Sequence, residues 1–357
     1  MAVFIIAEAG VNHNGDLALA HKLIETATAA GADAVKFQTF KANEITVAAA
    51  SKAAYQKETT DAGETQQAML RRLELPYEAH FELKEHCAEC GIKFLSTPFD
   101  FPSLDFLISD LGIDPLKISS GEMTNAPFLL KAARMAQRII LSTGMSTLPE
   151  VGEALSVLSW AIEGRPDPVC RADFASAFAL PGVRERLAER VTLLHCTTQY
   201  PTPYAEVNLK AMDTIAETFG VPVGLSDHTP GVAVSVAAVA RGATVIEKHF
   251  TLDRNLPGPD HKASLDPDQL ADLVASVRAV EAALGDGFKR PSAGEIDNAR
   301  VARKSLVASR PIAAGEVFGP DNLTVKRPGT GASPMLYWDF LGRVSSRAYD
   351  PDSVIDS

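Results

Sequence analysis

The chain has 357 residues, 46% hydrophobic and 22% charged, the make-up of a globular protein with room for one large domain and a smaller one. Its formal net charge of −11 comes without any basic run or interleaved basic and aromatic stretch, which argues against a nucleic-acid partner, because neutralising phosphates takes clustered Lys and Arg. No stretch reaches the roughly 18–20 uninterrupted apolar residues of a membrane span, whereas an anionic small-molecule substrate stays compatible, since a local basic pocket can sit in an acidic protein.

The N-terminal MAVFIIAEAG lacks a basic n-region and reaches Glu8 at once, so it reads as a first strand and not a signal peptide. Apolar, β-rich runs then recur along the chain: AVKFQTF (34–40), KFLSTPF (93–99), PLKISSG (115–121), RIILSTG (138–144), VTLLHCT (191–197), VPVGLSD (221–227) and ATVIEKHF (243–250). Amphipathic segments such as LALAHKLIETATAAG separate them, the pattern of βαβ units around a parallel sheet. Eight units in series predict a closed (β/α)₈ TIM barrel spanning 1–285. Each run starts apolar and finishes in polar residues, as strands do when their C-terminal ends carry chemistry. Cys87 and Cys90 form a lone CxxC within a helical pattern; with Cys170 and Cys196 they read as structural thiols in a reducing cytoplasm. Residues 163–187 are longer than a barrel crossover needs and are read as an insertion. After the last barrel helix, 286–299 is a linker rich in Gly, Pro and Lys, and 300–357 reads as short strands and turns without a helix of useful length.

The polar strand ends would share one volume at the barrel mouth. His228 and His249 fall on neighbouring strand ends, each beside an acid (Asp227, Glu247), a pattern that fits a metal pair with outer carboxylates. An open sphere of nitrogen and oxygen ligands suits Mn²⁺ or Mg²⁺ better than a closed structural zinc. Lys36 and Lys117, with Lys248 beside His249, supply positive charge. The turns Ser119-Ser120-Gly121 and Ser142-Thr143-Gly144 supply hydroxyl and backbone N–H donors for a phosphate or carboxylate, although Ser-Gly is also ordinary turn chemistry. Glu8 is a catalytic or substrate-binding candidate. Asn12, His13 and Gly15 make the loop after it, where His13 is equally a loop hydrogen-bonding residue.

These motifs, EAGVNHNG, VKFQTF, STPFD, KISSGE, LSTGMS, LHCTTQYPTPY, GLSDHT, EKHFT with PGPDH, and VKRPGTG, occur in one order over nearly the whole chain apart from 163–187. Together they resemble the sialic acid synthase family, which includes the N-acetylneuraminate, legionaminate and pseudaminate synthases. The resemblance implies a TIM barrel followed by a small C-terminal antifreeze-like (SAF, β-clip) domain, and a homodimer in which that domain covers the partner's barrel. It implies metal-dependent condensation of phosphoenolpyruvate with an N-acylated hexosamine to a nine-carbon 2-keto acid, with phosphate lost by C–O cleavage. On this sequence it makes His228 and His249 the metal ligands and sets Glu8 at the sugar or the reacting centre, where a rim carboxylate beside a metal is within reach to act as the acid/base group. Lys36, Thr97, Lys117, Ser120, Ser142 and Ser226 would bind phosphoenolpyruvate; Gln38, Glu122, Tyr200 and Asp260 would face the sugar, and Arg327 would reach it from the other subunit. Thr198 stands where members using N-acetylmannosamine commonly have Asn. With KISSGEMTNAP and PGTGASPMLYWDFLG, it looks more like the legionaminate branch, whose sugar is 2,4-diacetamido-2,4,6-trideoxymannose. Two other readings are a Schiff-base aldolase using a strand lysine and a non-catalytic sugar-binding protein.

Overall fold

Why the apolar runs become strands is visible in their burial. In the computed structural model, which describes residues 2–47, 50–52, 60–61 and 63–356, β1 (Phe4–Gly10) is buried at every position after the first, and β5 (Ile139–Ser142), β7 (Val223–Asp227) and β8 (Val245–His249) are buried throughout. Burial on both faces explains the near-continuous hydrophobic runs, since barrel strands meet side chains inside and helices outside. With β2 (Ala34–Thr39), β3 (Lys93–Pro98), β4 (Leu116–Ile118) and β6 (Val191–Cys196) they form one parallel sheet in the order β3-β2-β1-β8-β7-β6-β5-β4. Its two ends, β3 and β4, lie against each other without a paired ladder, so the sheet is a near-closed eight-stranded barrel.

The predicted runs extend past the ladders at their polar ends, for local reasons. β4 stops at Ile118 because Ser119 turns the chain, its hydroxyl accepting from Gly121 N–H (3.3 Å) at the start of a 3₁₀ turn, Ser120–Glu122. Helices outside the barrel are capped by sequence. Asp16 accepts from the N–H groups of Ala18 and Leu19. Thr147 with Glu150, and Asp266 with Gln269, close capping boxes ahead of Leu148–Ile162 and Pro267–Leu284. Residues 163–187 hold the helix Ala172–Phe178, packed on Leu148–Ile162, and most of Val183–Arg190, which leads straight into β6.

The chain divides into Met1–Gly285 and Asp286–Ser357. The second unit has its own core of Leu306, Ile312, Phe318, Leu323, Tyr349 and Ile355. An antiparallel pair, β9 (Ser305–Ala308) and β10 (Leu323–Lys326), runs through it. The reading of 286–299 as a linker is corrected here: Ala293–Ala302 is helical, started by a capping box between Ser292 and Glu295.

Candidate active site

Register decides which strand-end side chains meet. In β7 and β8, Ser226 pairs with Glu247 and Asp227 with Lys248, and side chains alternate faces along a strand. Ser226, Glu247 and His249 therefore point into the barrel, and Asp227 and Lys248 point out toward the helices. Glu8 on β1 pairs with both Lys36 and His249, which brings three elements' chemistry to one level.

The centre of this level is a buried charge cluster. Glu247 lies 3.4 Å from Lys117 Nζ and 3.6 Å from Lys36 Nζ, and its Oε1 accepts from Ser226 Oγ at 2.9 Å. Lys36 also pairs with Glu8 (2.7 Å) and donates to Thr97 Oγ1 (3.0 Å), while Lys117 donates to Ser142 Oγ (2.8 Å). Burial opposes charge on every member, and the partners decide the outcome. It lifts Glu8 to about 7 against the pull of Lys36, with the Glu247 charge adding to the rise. Glu247 is also penalised by burial, yet its two lysines outweigh that and hold it down at about 2. Lys36, facing two carboxylates, is raised overall despite its burial, and Lys117, facing mainly one, is lowered by burial. Lys36, held protonated in this way, is the opposite of a Schiff-base nucleophile.

Across the same cavity, of about 300 Å³, stand the two imidazoles, their centroids 5.4 Å apart. His228 Nδ1 faces the Thr197 carbonyl at 2.7 Å; a carbonyl only accepts, so Nδ1 carries the proton and Nε2 keeps its lone pair. His249 Nδ1 is buried without a hydrogen-bond partner, 4.0 Å from Asp260 Oδ2. Burial lowers both imidazole pKa values, which keeps the rings neutral. Neutral rings, one oriented by a backbone carbonyl and one with an unclaimed buried nitrogen, have the form of a donor pair for a divalent ion. The ring of Tyr200 packs on both, at 4.2 and 5.8 Å. Burial also raises Asp260, to about 6. Two glycines make room. Gly10 has φ +54°, and a Cβ there would sit 3.3 Å from Glu8 Oε1 and Gln38 Nε2. At Gly144, whose N–H donates to Ser120 Oγ (2.9 Å), a Cβ would lie closest to Thr198 Oγ1 and 2.8 Å from Ser120 Oγ and Cys196 Sγ.

The NeuB family model matches residues 23–289, and the SAF domain model matches 303–356. The chain belongs to the NeuB family. It is 50% identical over 351 residues to an N,N′-diacetyllegionaminic acid synthase of Campylobacter jejuni subsp. jejuni serotype O:2, covering 98% of both chains. It is 46% identical over 342 residues to the enzyme of that name from Legionella pneumophila, covering 96% of this chain and 90% of the other. Among solved structures it resembles an N-acetylneuraminic acid synthetase of Leptospira borgpetersenii, with TM-score 0.66 and 32% identity over 84% of this chain and 90% of that one. Like these relatives, the chain is an enzyme, and its barrel is followed by a SAF domain.

The NeuB-family cavity brings together Glu8, Lys36, Gln38, Thr97, Lys117, Ser120, Ser142, Tyr200, Ser226, His228, His249 and Asp260. Other expectations need correction. Glu122 is outside the lining; it sits on the 3₁₀ turn and accepts from Asn125 (2.6 Å). Asp227 does not touch the His228 ring. It accepts from Thr229 N–H and Oγ1 (both 2.8 Å), Ser235 Oγ (2.6 Å) and Lys248 Nζ (2.9 Å), because its face of β7 meets the helix layer. For the same reason Lys248 is outside the cavity lining, paired with Asp227, and reaches the imidazoles only through its charge, which helps to lower both pKa values. His13 is a buried turn residue whose Nδ1 accepts from Gly15 N–H (3.0 Å), and Asn12 ties the loop to the Phe250 carbonyl and Ser264. Arg327 is exposed within the second unit. Glu247 was read only as an acid beside His249. The period-two alternation of VIEKH, which puts Glu247 and His249 on one face, is the signal that reveals its central place. Among the described residues no helix is long and apolar enough to cross a membrane.

Proposed function

We propose that this chain condenses phosphoenolpyruvate with 2,4-diacetamido-2,4,6-trideoxymannose to give N,N′-diacetyllegionaminate and phosphate. The reading includes a cytoplasmic homodimer whose Arg327 reaches the partner's sugar site, and a metal, Mn²⁺ or Mg²⁺, held by His228 and His249. The observation that carries it is the Lys36–Glu247–Lys117 cluster, with Ser142 and Ser226, in one cavity with two neutral imidazoles: an anion cradle beside a donor pair. The names of the relatives support the choice of sugar.

Lys36, Lys117 and the Ser120, Ser142 and Ser226 hydroxyls hold the phosphate and carboxylate of phosphoenolpyruvate by preorganised charge and hydrogen bonds. A divalent ion, held by His228 and His249, would supply Lewis-acid polarisation of the open-chain sugar carbonyl. Carbon 3 of the enol attacks that carbonyl carbon, leaving positive charge on carbon 2. Glu8, poised near 7, gives its proton to the new alkoxide. As a carboxylate it then takes a proton from the water that adds at carbon 2. Collapse of the resulting tetrahedral carbon breaks its bond to the phosphate oxygen while its hydroxyl proton passes to the departing phosphate, leaving the 2-keto group and free phosphate. Tyr200, Gln38 and Asp260 line the sugar's path.

The test is phosphate release from phosphoenolpyruvate against a panel of hexosamines including the 2,4-diacetamido sugar and N-acetylmannosamine. Release is expected to be fastest with the diacetamido sugar, to stop with chelator and to resume on adding Mn²⁺ or Mg²⁺. Comparable turnover of every sugar would sink the choice of substrate, and turnover by a His228→Ala protein in chelator would sink the metal.

A further inference from the structure

Around the lysines and imidazoles the cavity is lined by charged and hydroxyl groups, but one wall is not. Over the C-terminal ends of β1–β3, Val11, Phe40, Met69 and Leu73 form a buried apolar cluster separate from the barrel core, with Leu70 and Phe99 packed against it and only partly buried. All six line the same cavity as Glu8 and the imidazoles. The wall is held firmly. The Lys41 N–H donates to Asp100 Oδ2 (2.7 Å) and the Ala42 N–H to Glu74 Oε2 (3.0 Å), which fixes the chain after Phe40. Thr65 caps the helix Gln66–Leu73 by accepting from Ala68 N–H (3.2 Å). Gly15, at φ +76°, lets the loop after β1 approach so closely that a Cβ there would be 2.5 Å from the Arg72 carbonyl oxygen. Phe40 and Phe99 meet edge to face with centroids 6.3 Å apart.

We propose that this wall selects the deoxygenated, methyl-bearing end of the sugar, making Leu70 and Phe99 specificity-determining residues; the inference rests on the condensation proposed above. In the sheet order β1, with Glu8, lies between the strand ends that carry the imidazoles (after β7 and on β8) and the wall over β2 and β3. We place the hexose with its carbonyl carbon by the imidazoles and its far end over β2 and β3. There a methyl group at carbon 6 meets hydrocarbon. A hydroxymethyl group meets the same hydrocarbon and loses water bonds without replacement, which disfavours it by roughly 10- to 100-fold. The wall thus discriminates a 6-deoxyhexosamine from its 6-hydroxy counterpart at a position remote from the reacting bond.

The experiment compares kcat/KM, by phosphate release from phosphoenolpyruvate, for two sugars differing only at carbon 6: N-acetylmannosamine and 2-acetamido-2,6-dideoxymannose. The 2,4-diacetamido-2,4,6-trideoxy sugar is run alongside. The wild-type enzyme is expected to favour the 6-deoxy member by roughly 10- to 100-fold, Leu70→Gln to cut that ratio at least ~5-fold, and Leu70→Met to keep it. Circular-dichroism melts check that the variants fold; if Leu70→Gln does not, Ile45→Thr, on the same wall, is measured instead. Equal use of the two sugars by the wild type, or a ratio untouched by the polar variant, overturns the inference while condensation stands. No phosphate release with any of the three sugars overturns the proposed function, and this inference with it.

Discussion

Replacing Glu247 by Gln tests the charge logic of the cavity most directly. The variant keeps the shape and an acceptor for Ser226 but removes the negative charge shared by Lys36 (3.6 Å) and Lys117 (3.4 Å). At an effective dielectric of about 20, each such pair attracts by about 5 kcal/mol. Most of that is offset because the Gln side chain avoids the carboxylate's own desolvation, and breaking a buried pair from one side has a net cost of about 3–5 kcal/mol. Glu8, raised partly by the Glu247 charge, ionises more fully in the variant and compensates Lys36; the deficit falls on Lys117. For a unit spanning Met1–Gly285, unfolding entropy of ~2 cal/mol/K per residue turns that cost into a drop in Tm of about 5–8 °C. Calorimetry at pH 7 should show this drop at both low and high salt, since burial prevents screening. Phosphoenolpyruvate should raise the variant's Tm by more than the wild type's, because the ligand brings the missing negative charge. A variant melting within ~1 °C of wild type, or equal stabilisation of both by ligand, would refute the reasoning.

Four further outcomes follow from the same geometry. With Glu8 lifted from 4.5 to about 7, its acid form is lost as pH rises through 7, so kcat/KM should fall above that pH; Glu8→Gln should abolish this limb and lower the rate by roughly 10²–10⁴-fold. The same raised pKa makes Glu8's contribution to stability full below pH 4.5 and lost as pH rises through 7, a slope that melting curves of the Gln variant should lack. Asp227→Asn strands Lys248 and should cost about 3–5 kcal/mol; adding Lys248→Met should recover most of it in chemical denaturation. Gly144→Ala would push Thr198, Ser120 and Cys196 aside, lowering kcat/KM by about 10²-fold with little change in the circular-dichroism spectrum.

The barrel was legible because its strands carry their own signature: eight apolar runs with polar ends, spaced by helical patterns and capped by residues such as Asp16, Thr147 and Asp266. Local chemistry dictates all of these. The SAF domain came from resemblance, since its short strands have little periodicity of their own, and the helix Ala293–Ala302 was hidden in a Gly- and Pro-rich stretch. At the site, residue types at strand ends sufficed to nominate Glu8, Lys36, Lys117, His228 and His249. Which of two neighbouring polar residues faces the cavity was decided only by register. Asp227 and Lys248 are as polar as Ser226 and Glu247, yet one pair holds the helix layer and the other the charge cluster. The apolar wall was beyond sequence reading for a different reason. Val11, Phe40, Met69, Leu70, Leu73 and Phe99 come from separate segments, and each alone looks like ordinary core. Only their convergence on one side of a polar cavity gives them chemical meaning.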